Sequence, residues 1–219
     1  MTRMGLQNPL EPEVIIARTK EEIKSASQSK YCPVPVNTAL RKIIDENLTV
    51  AVVGLPCHIQ GMRKAEIINR KLRENIIIHI GLFCGHNVNF LGTKYILKKI
   101  GINHKDVKKI SYRGYEYPGI MVFELIDGRK KLISHLEFWR LLFSFNFFCP
   151  IRCTLCCDPT SEFADLSIGS AWLPELKKYR IKKNICLSRT KQGQQLLQNA
   201  KLNKKIDIPD TNDNKILIK

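Results

Sequence analysis

Cys153-Thr-Leu-Cys156 sets two thiols three residues apart, and Cys149 and Cys157 flank them. A Cys-x-x-Cys turn brings two sulfurs to one side of the backbone, where both can bind one metal centre. Thiolates are soft donors that suit zinc, copper(I) and iron–sulfur clusters. A cubane cluster and a closed structural zinc each need four ligands. Two further thiols must come from elsewhere, and Cys57 and Cys84 are the best placed. Each follows a buried-looking apolar run that ends in a loop containing Gly or Pro. The spacing is not the compact ferredoxin run of cysteines. It leaves an iron–sulfur cluster, a zinc site and a redox dithiol open. Cys149 and Cys157 are spare thiols able to compete as ligands. Cys32 and Cys186 read instead as small buried apolar side chains.

Other residue types suit an anionic cofactor. Ser29, Lys30 and Tyr31 offer a hydroxyl, an ammonium and an aromatic face beside a rigid Pro33/Pro35 loop. Gln60 and Arg63 lie in the first turns of a helix expected after Cys57, where backbone amides favour phosphate. Arg113 ends a strand with a guanidinium. Each of these is equally consistent with plain packing or solvation. Among the histidines, His58 follows Cys57, His79 sits inside an apolar strand, and His86 lies just past Cys84. His86 is the one that could replace a thiolate on iron.

These residues need elements to hold them. EVIIA (13–17) reads as a strand, and Thr19 with Glu22 as a capping box opening a helix. Asn37 is placed to cap the helix TALRKIIDE. LTVAVVG and NIIIHIGLFC are β-branched runs that read as buried strands. Between them a basic helix is expected from Ile59 to Leu72, and FLGTKYILKKIG reads as the next helix. This alternation argues for an α/β layer. Ligands in such sheets gather at the carboxyl ends of strands, so Cys57 and Cys84 are expected to meet at one rim. Later, VKKISYRGY and IMVFELIDGRKKLIS read as strands with a turn at Asp127-Gly128. The stretch FWRLLFSFNFFC is either a buried amphipathic helix or a subunit-docking face. DLSIG and NICLSRT read as two more strands, and Thr190 as the cap of a final helix.

Lys and Arg number 36 against 20 Asp and Glu, a formal charge of +16. Such a surface attracts anions: nucleic acid, anionic lipid, an acidic partner subunit, or a phosphate- or carboxylate-rich small molecule. No signal peptide is visible, and no run approaches the roughly 18 to 20 apolar residues that span a bilayer. A cytoplasmic location is therefore expected, where disulfides rarely persist and eight cysteines point to metal or redox work.

Together, SKYCPVPVN, AVVGLPCHIQGMRK, IGLFCG, SYRGYEYPG, RCTLCCDPTSEFADLSIGSAW and LSRTKQGQQLLQNA resemble the coenzyme F-420 hydrogenase/dehydrogenase beta-subunit family. They stand in the family's order and span residues 13–201. The resemblance implies an iron–sulfur flavoprotein oxidoreductase. Electrons would pass between a [4Fe–4S] cluster, FAD and a two-electron acceptor such as coenzyme F-420. Its cluster ligands carry over onto Cys57, Cys84, Cys153 and Cys156. Partner hydrogenase, dehydrogenase or other redox subunits are implied, and a small-molecule electron acceptor.

The expected fold is α/β: a layered mixed sheet with flanking helices, plus a C-terminal β-rich part carrying the cluster loop. The expected division is 1–90, a partial N-terminal α/β part; 91–201, an iron–sulfur and flavin part; and 202–219, a polar tail. The chain departs from the family pattern in a late start, reading as an N-terminally truncated member without the usual glycine-rich segment that helps hold flavin. It also has Ser170 where an acid is frequent, and the extra thiols Cys149 and Cys157. Two alternatives follow: a truncated, non-catalytic electron-relay or assembly subunit, and a zinc-stabilised nucleic-acid-binding module. The second lacks any recognised DNA- or RNA-binding motif.

Overall fold

The structure is a computed structural model, and it describes residues 1–115, 118–172, 183–208 and 216–218. The chain forms two compact units, each assembled from separated stretches: Met1–Pro35 with His86–Cys156, and Val36–Gly85 with Cys157–Lys219. The sequence reading divides the chain instead at residues 90 and 201.

The chain opens with β1 (Thr2–Met4), β2 (Pro12–Val14) and α1 (Lys20–Ser25). β2 ends at Val14, short of the expected EVIIA strand, and pairs antiparallel with β1. The capping box is formed: the Glu22 amide donates to Thr19 Oγ1 at 3.2 Å, and the Thr19 amide donates to the Glu22 carboxylate at 3.1 Å.

Next come α2 (Ala39–Asp45), β3 (Val50–Gly54), α3 (Pro56–Ile68), α4 (Arg70–Asn75) and β4 (Ile76–Leu82). Two expectations are corrected here. Asn37 does not cap α2. It lies inside a 3-10 turn, Val36–Thr38, so Thr38 takes the cap position with helical backbone. The basic helix after Cys57 is broken at Asn69. That side chain accepts from the Leu72 amide at 3.1 Å and starts a second helix, as Asn does when it competes with the helical backbone.

The chain continues as α5 (Phe90–Lys99), β5 (Val107–Gly114), β6 (Ile120–Leu125), β7 (Lys130–Ile133), α6 (His135–Leu142) and α7 (Ile151–Thr154). It closes with β8 (Leu166–Ser170), β9 (Asn184–Ser188), α8 (Lys191–Leu202) and β10 (Ile216–Ile218). Thr190 caps α8 as expected, accepting from the Gly193 amide at 3.1 Å.

In the first unit, β5, β6 and β7 form an antiparallel sheet. Its turn falls at Asp127-Gly128, where Gly128 adopts φ +85°, a conformation glycine takes without steric cost. Val88, Ile96, Met121, Phe123 and Phe138 are fully buried together with Tyr112 and Leu142. The aromatic stretch after β7 is split in character. Phe138, Leu142 and Phe143 enter this core, while Phe145 and Phe147 are 71% and 79% exposed.

In the second unit, five strands run in the order β10-β9-β8-β4-β3. β3, β4 and β8 are parallel, and β9 and β10 are antiparallel, so the layered mixed sheet is present. β8 and β9, read from sequence as belonging to a later β-rich part, complete the sheet begun by β3 and β4. Ile80 pairs with Leu166 across that junction. Among the described residues, no helix is long and apolar enough to cross a membrane.

Candidate functional site

In the second unit, β3 and β4 pair in parallel register up to Gly54 and Gly81. Both strands thus end at one carboxyl rim. Cys57 is the second residue of α3, which leaves that rim directly after β3. The first turn of α3 is fixed by His58, whose Nδ1 accepts from the Leu55 amide at 3.2 Å. A β-carbon on Gly54 would press on His58, so the glycine permits this tight strand-to-helix turn.

Cys84 lies two residues beyond β4. Its amide donates to Pro159 O at 2.9 Å, and the Phe83 amide donates to Ile168 O at 2.9 Å. These bonds hold Cys84 against the loop that begins at Cys157. Gln60, one turn along α3, donates to Asp158 in the same loop at 3.3 Å. Gly81 lets Ser161 of this loop close onto the end of β4, where any β-carbon would collide with it. The expectation that Cys57 and Cys84 share one rim therefore agrees with the strand register.

The Cys-x-x-Cys pair lies in the first unit. The Cys153 amide donates to Pro150 O at 2.8 Å, and the Cys156 amide donates to Cys153 O at 3.3 Å. Pro150 caps the one-turn helix α7, its fixed φ suiting a helix entrance. Upstream, the Asn89 amide donates to Phe148 O at 2.8 Å and anchors the start of the loop. Burial first, and the nearby Cys153 second, push the Cys149 thiol up from its ordinary value. None of the eight cysteines is in a disulfide. Cys32 and Cys186 are each 1% exposed, and burial pushes both thiols up to about 11, as befits core side chains.

The residues singled out for an anionic cofactor are engaged with protein partners. Lys30 donates to the carbonyls of Ala26, Ser27 and Gln28 at 2.6, 2.6 and 2.9 Å. Burial lowers its pKa to about 8. Tyr31 packs edge-on to Tyr112 and Phe143, with ring centres 5.6 and 4.9 Å apart. Ser29 is half-buried. Arg113 donates twice to Pro118 O, at 2.9 and 2.7 Å. In the second unit, Gln60 and Arg63 share α3. Arg63 donates to Phe163 O at 3.0 Å and to Glu66 and Asp165, both at 3.2 Å.

Arg63 leads to a cluster that residue patterns alone do not reveal. His79 is 1% exposed, with Nε2 2.5 Å from Glu66 and Nδ1 3.2 Å from Asp165. The His79 amide also donates to Asp165, at 2.7 Å. Burial would raise the Asp165 pKa, but the bonds from His79, Thr190 and Arg63 outweigh it and hold the group at about 2. The network ties α3 to β4 and to the entrance of β8. The only sequence signal is a lone charged-type residue inside an apolar strand.

The family model for the C-terminal part of the coenzyme F-420 hydrogenase/dehydrogenase beta chain matches residues 48–214, and the model for its N-terminal part matches residues 1–41. The chain belongs to this family. It is 28% identical over 167 residues to one component of the F(420)H(2) dehydrogenase of Methanosarcina mazei, covering 75% of this chain and 44% of that one. It is 24% identical over 204 residues to the beta component of the coenzyme F-420 hydrogenase of Methanothermobacter thermautotrophicus, covering 86% and 63%. The beta-type chain thus spans about half the length of such relatives. A chain of the F-420-reducing nickel–iron hydrogenase complex from Methanosarcina barkeri superposes with a TM-score of 0.64 at 22% identity, covering 90% of this chain and 64% of that one. That likeness shows the shared mixed α/β fold.

The donor set of this family member suits a thiolate-ligated group in chemistry. Cys57, Cys84, Cys153 and Cys156 are free thiols outside the apolar core. Among the described residues, no cluster of three or more His, Cys, Asp or Glu side chains is gathered for a metal ion.

Proposed function

We propose that this member of the beta-subunit family is an electron-transfer protein that holds a [4Fe–4S] cluster on Cys57, Cys84, Cys153 and Cys156. FAD and a two-electron acceptor such as coenzyme F-420 complete the reading. The observation that carries it is the placement of Cys57 and Cys84 at one strand rim, in a chain whose family match runs from residue 48 to residue 214. FAD, when bound, takes up electrons as a hydride and releases them singly.

The chain's own residues do the holding. The His58 and Gly54 turn directs Cys57. The Pro159 carbonyl and the Gly81–Ser161 contact fix Cys84. Pro150 pre-sets the turn that carries Cys153 and Cys156. The +16 charge favours an anionic cofactor or an acidic redox partner. Phe147, Ile151 and Leu155, 79% to 80% exposed around the cysteine turn, favour docking to a partner redox subunit in the cytoplasm.

Anaerobic reconstitution with iron, sulfide and FAD tests the reading. It is expected to give brown protein whose broad visible absorption bleaches with dithionite and yields a low-temperature EPR signal. Colourless, iron-free protein, or zinc without sulfide, overturns it.

A non-catalytic relay subunit is a second reading, favoured by a specific observation. Lys30, Arg63 and Arg113 are spent on protein carbonyls and carboxylates. Flavin bound per cluster separates the two: a stoichiometric flavin supports the oxidoreductase, and a cluster without flavin supports the relay.

A further inference from the structure

We infer that Glu66 and His79 are positioning residues: their buried contact fixes how far α3 sits along β4, and through α3 it holds the rim loop that secures Cys84. That this placement serves a metal centre rests on the cluster reading above; the positioning itself does not.

Gln60, Arg63 and Glu66 recur every third residue, so they run along one side of α3. Each reaches a different part of the second unit. Gln60 donates to Asp158 at 3.3 Å. Arg63 donates to Phe163 O at 3.0 Å and to Asp165 at 3.2 Å. Glu66 lies 2.5 Å from His79 Nε2, and His79 Nδ1 lies 3.2 Å from Asp165. The helix also buries Ile59 and Met62. Apolar contacts are non-directional and tolerate sliding. Hydrogen bonds weaken steeply once distance and angle depart from the ideal. A slip of one residue moves a helix about 1.5 Å along its axis, enough to break every bond in the polar row. The polar row therefore sets the height of α3, and the apolar side chains only hold it down.

That height matters at the strand rim. Cys57 is the second residue of α3 and moves with it. The Cys84 amide is held by Pro159 O, beside the Asp158 that Gln60 grips. Asp158 also accepts from the Glu162 amide at 3.0 Å, which folds the loop around its own carboxylate. A shift of α3 thus reaches Cys84 through Gln60, Asp158 and Pro159. Within the polar row the Glu66–His79 contact is the most shielded, with the two residues 5% and 1% exposed. Water does not compete for it, so it outlasts the half-buried Gln60 bond and keeps that bond in reach.

Two variants separate positioning from plain stability. Replacing both partners of a buried polar pair by apolar groups is often neutral for stability. A purely stabilising role therefore predicts an ordinary rim in a folded Glu66→Leu, His79→Leu double variant. Positioning predicts a loosened one. In Glu66→Gln the side-chain amide can donate to His79 Nε2 while its oxygen accepts from Arg63, so the row stays intact. Amide hydrogen exchange is followed by NMR on full-length protein before any iron is added. The Cys84 amide is expected to exchange about tenfold faster in the double variant, with amides inside β3 and β4 little changed, and to match wild type in Glu66→Gln. Unchanged Cys84 exchange in the folded double variant, or equal acceleration in Glu66→Gln, overturns the inference. If circular dichroism shows the double variant unfolded, Arg63→Met replaces it; that variant leaves Glu66 paired with His79 and is expected to speed Cys84 exchange severalfold, and no change there overturns the inference. Iron and sulfide are then supplied. Uptake is expected to fall in the double variant, or in its replacement, and to stay at the wild-type level in Glu66→Gln; a full cluster in the loosened variant overturns the link to metal binding. Wild-type protein that takes up no iron, while the exchange pattern holds, sinks the cluster reading and leaves the positioning standing.

Discussion

His79 Nε2 lies 2.5 Å from Glu66 Oε1, inside a unit where both side chains are shielded from water. The opposite ring nitrogen faces Asp165, and Arg63 reaches both acids. One imidazole and one guanidinium thus hydrogen-bond two carboxylates that join α3, β4 and the lead into β8. His79→Ala leaves those carboxylates short of a partner. The expected loss is about 3 to 5 kcal/mol, the range for breaking a buried ionic group by removing one member. Chemical denaturation of the variant beside wild type measures it; a change below about 1 kcal/mol contradicts the role.

Asp165 gives this network an acid limit. Its folded-state pKa is about 2, against the ordinary 3.8. A depressed carboxyl adds stability that is complete above its unfolded value and is lost as pH falls through the folded one. About 2 kcal/mol, after allowance for solvent screening, is expected to disappear between about pH 4 and about pH 2. Asp165→Asn lowers stability at neutral pH and flattens that part of the acid limb. Denaturation midpoints across the window check the slope.

Lys30 acts in the alkaline direction. Burial lowers its pKa to about 8 from 10.5. Between those values the unfolded chain binds more protons, so stability rises with pH through the window. Competitive acetylation at limiting reagent is expected to show a Lys30 titration centred near 8. Lys30→Met removes that rise in stability.

Cysteine replacement separates the ligand set from the core thiols. Ser at Cys57, Cys84, Cys153 or Cys156 is expected to remove about half or more of the reconstituted iron and sulfide, since a cubane needs all four thiolates. Ser at Cys186 is expected to leave iron content intact while costing about 1 to 3 kcal/mol for burying a hydroxyl. Iron and sulfide assays beside thermal melts distinguish the two classes.

Gly81→Ala tests the contact behind Cys84. The added methyl meets Ser161 and Ala164. Overpacking of this kind costs about 1 to 3 kcal/mol and is relieved by shifting the loop. The expected outcome is folded protein with weakened cluster uptake, read by circular dichroism and by iron content.

Local signals were legible in the residue order alone. The β-branched runs marked β3 and β4, and strand ends marked the rim for Cys57 and Cys84. The Thr19–Glu22 and Thr190 caps read correctly because each is decided within four residues. Asn37 failed as a cap because a 3-10 turn moved the helix start by one residue. The helix after Cys57 failed at Asn69 because a side chain competed with the backbone. What stayed hidden was long-range. The union of β4 with β8 brings together residues 86 positions apart, as does the His79–Asp165 bond.

The β4–β8 junction also sets a timetable for synthesis. Residues 86–156 intervene in the chain between two neighbouring parallel strands, and they form most of the other unit. A ribosome that has completed β4 must therefore finish that whole insertion before the strand meets its partner. Closing so large a loop costs only slightly more entropy than closing a short one, but the delay leaves the apolar flank of β4 waiting. During synthesis, β4 can pair with β8 only after the intervening segment has been made.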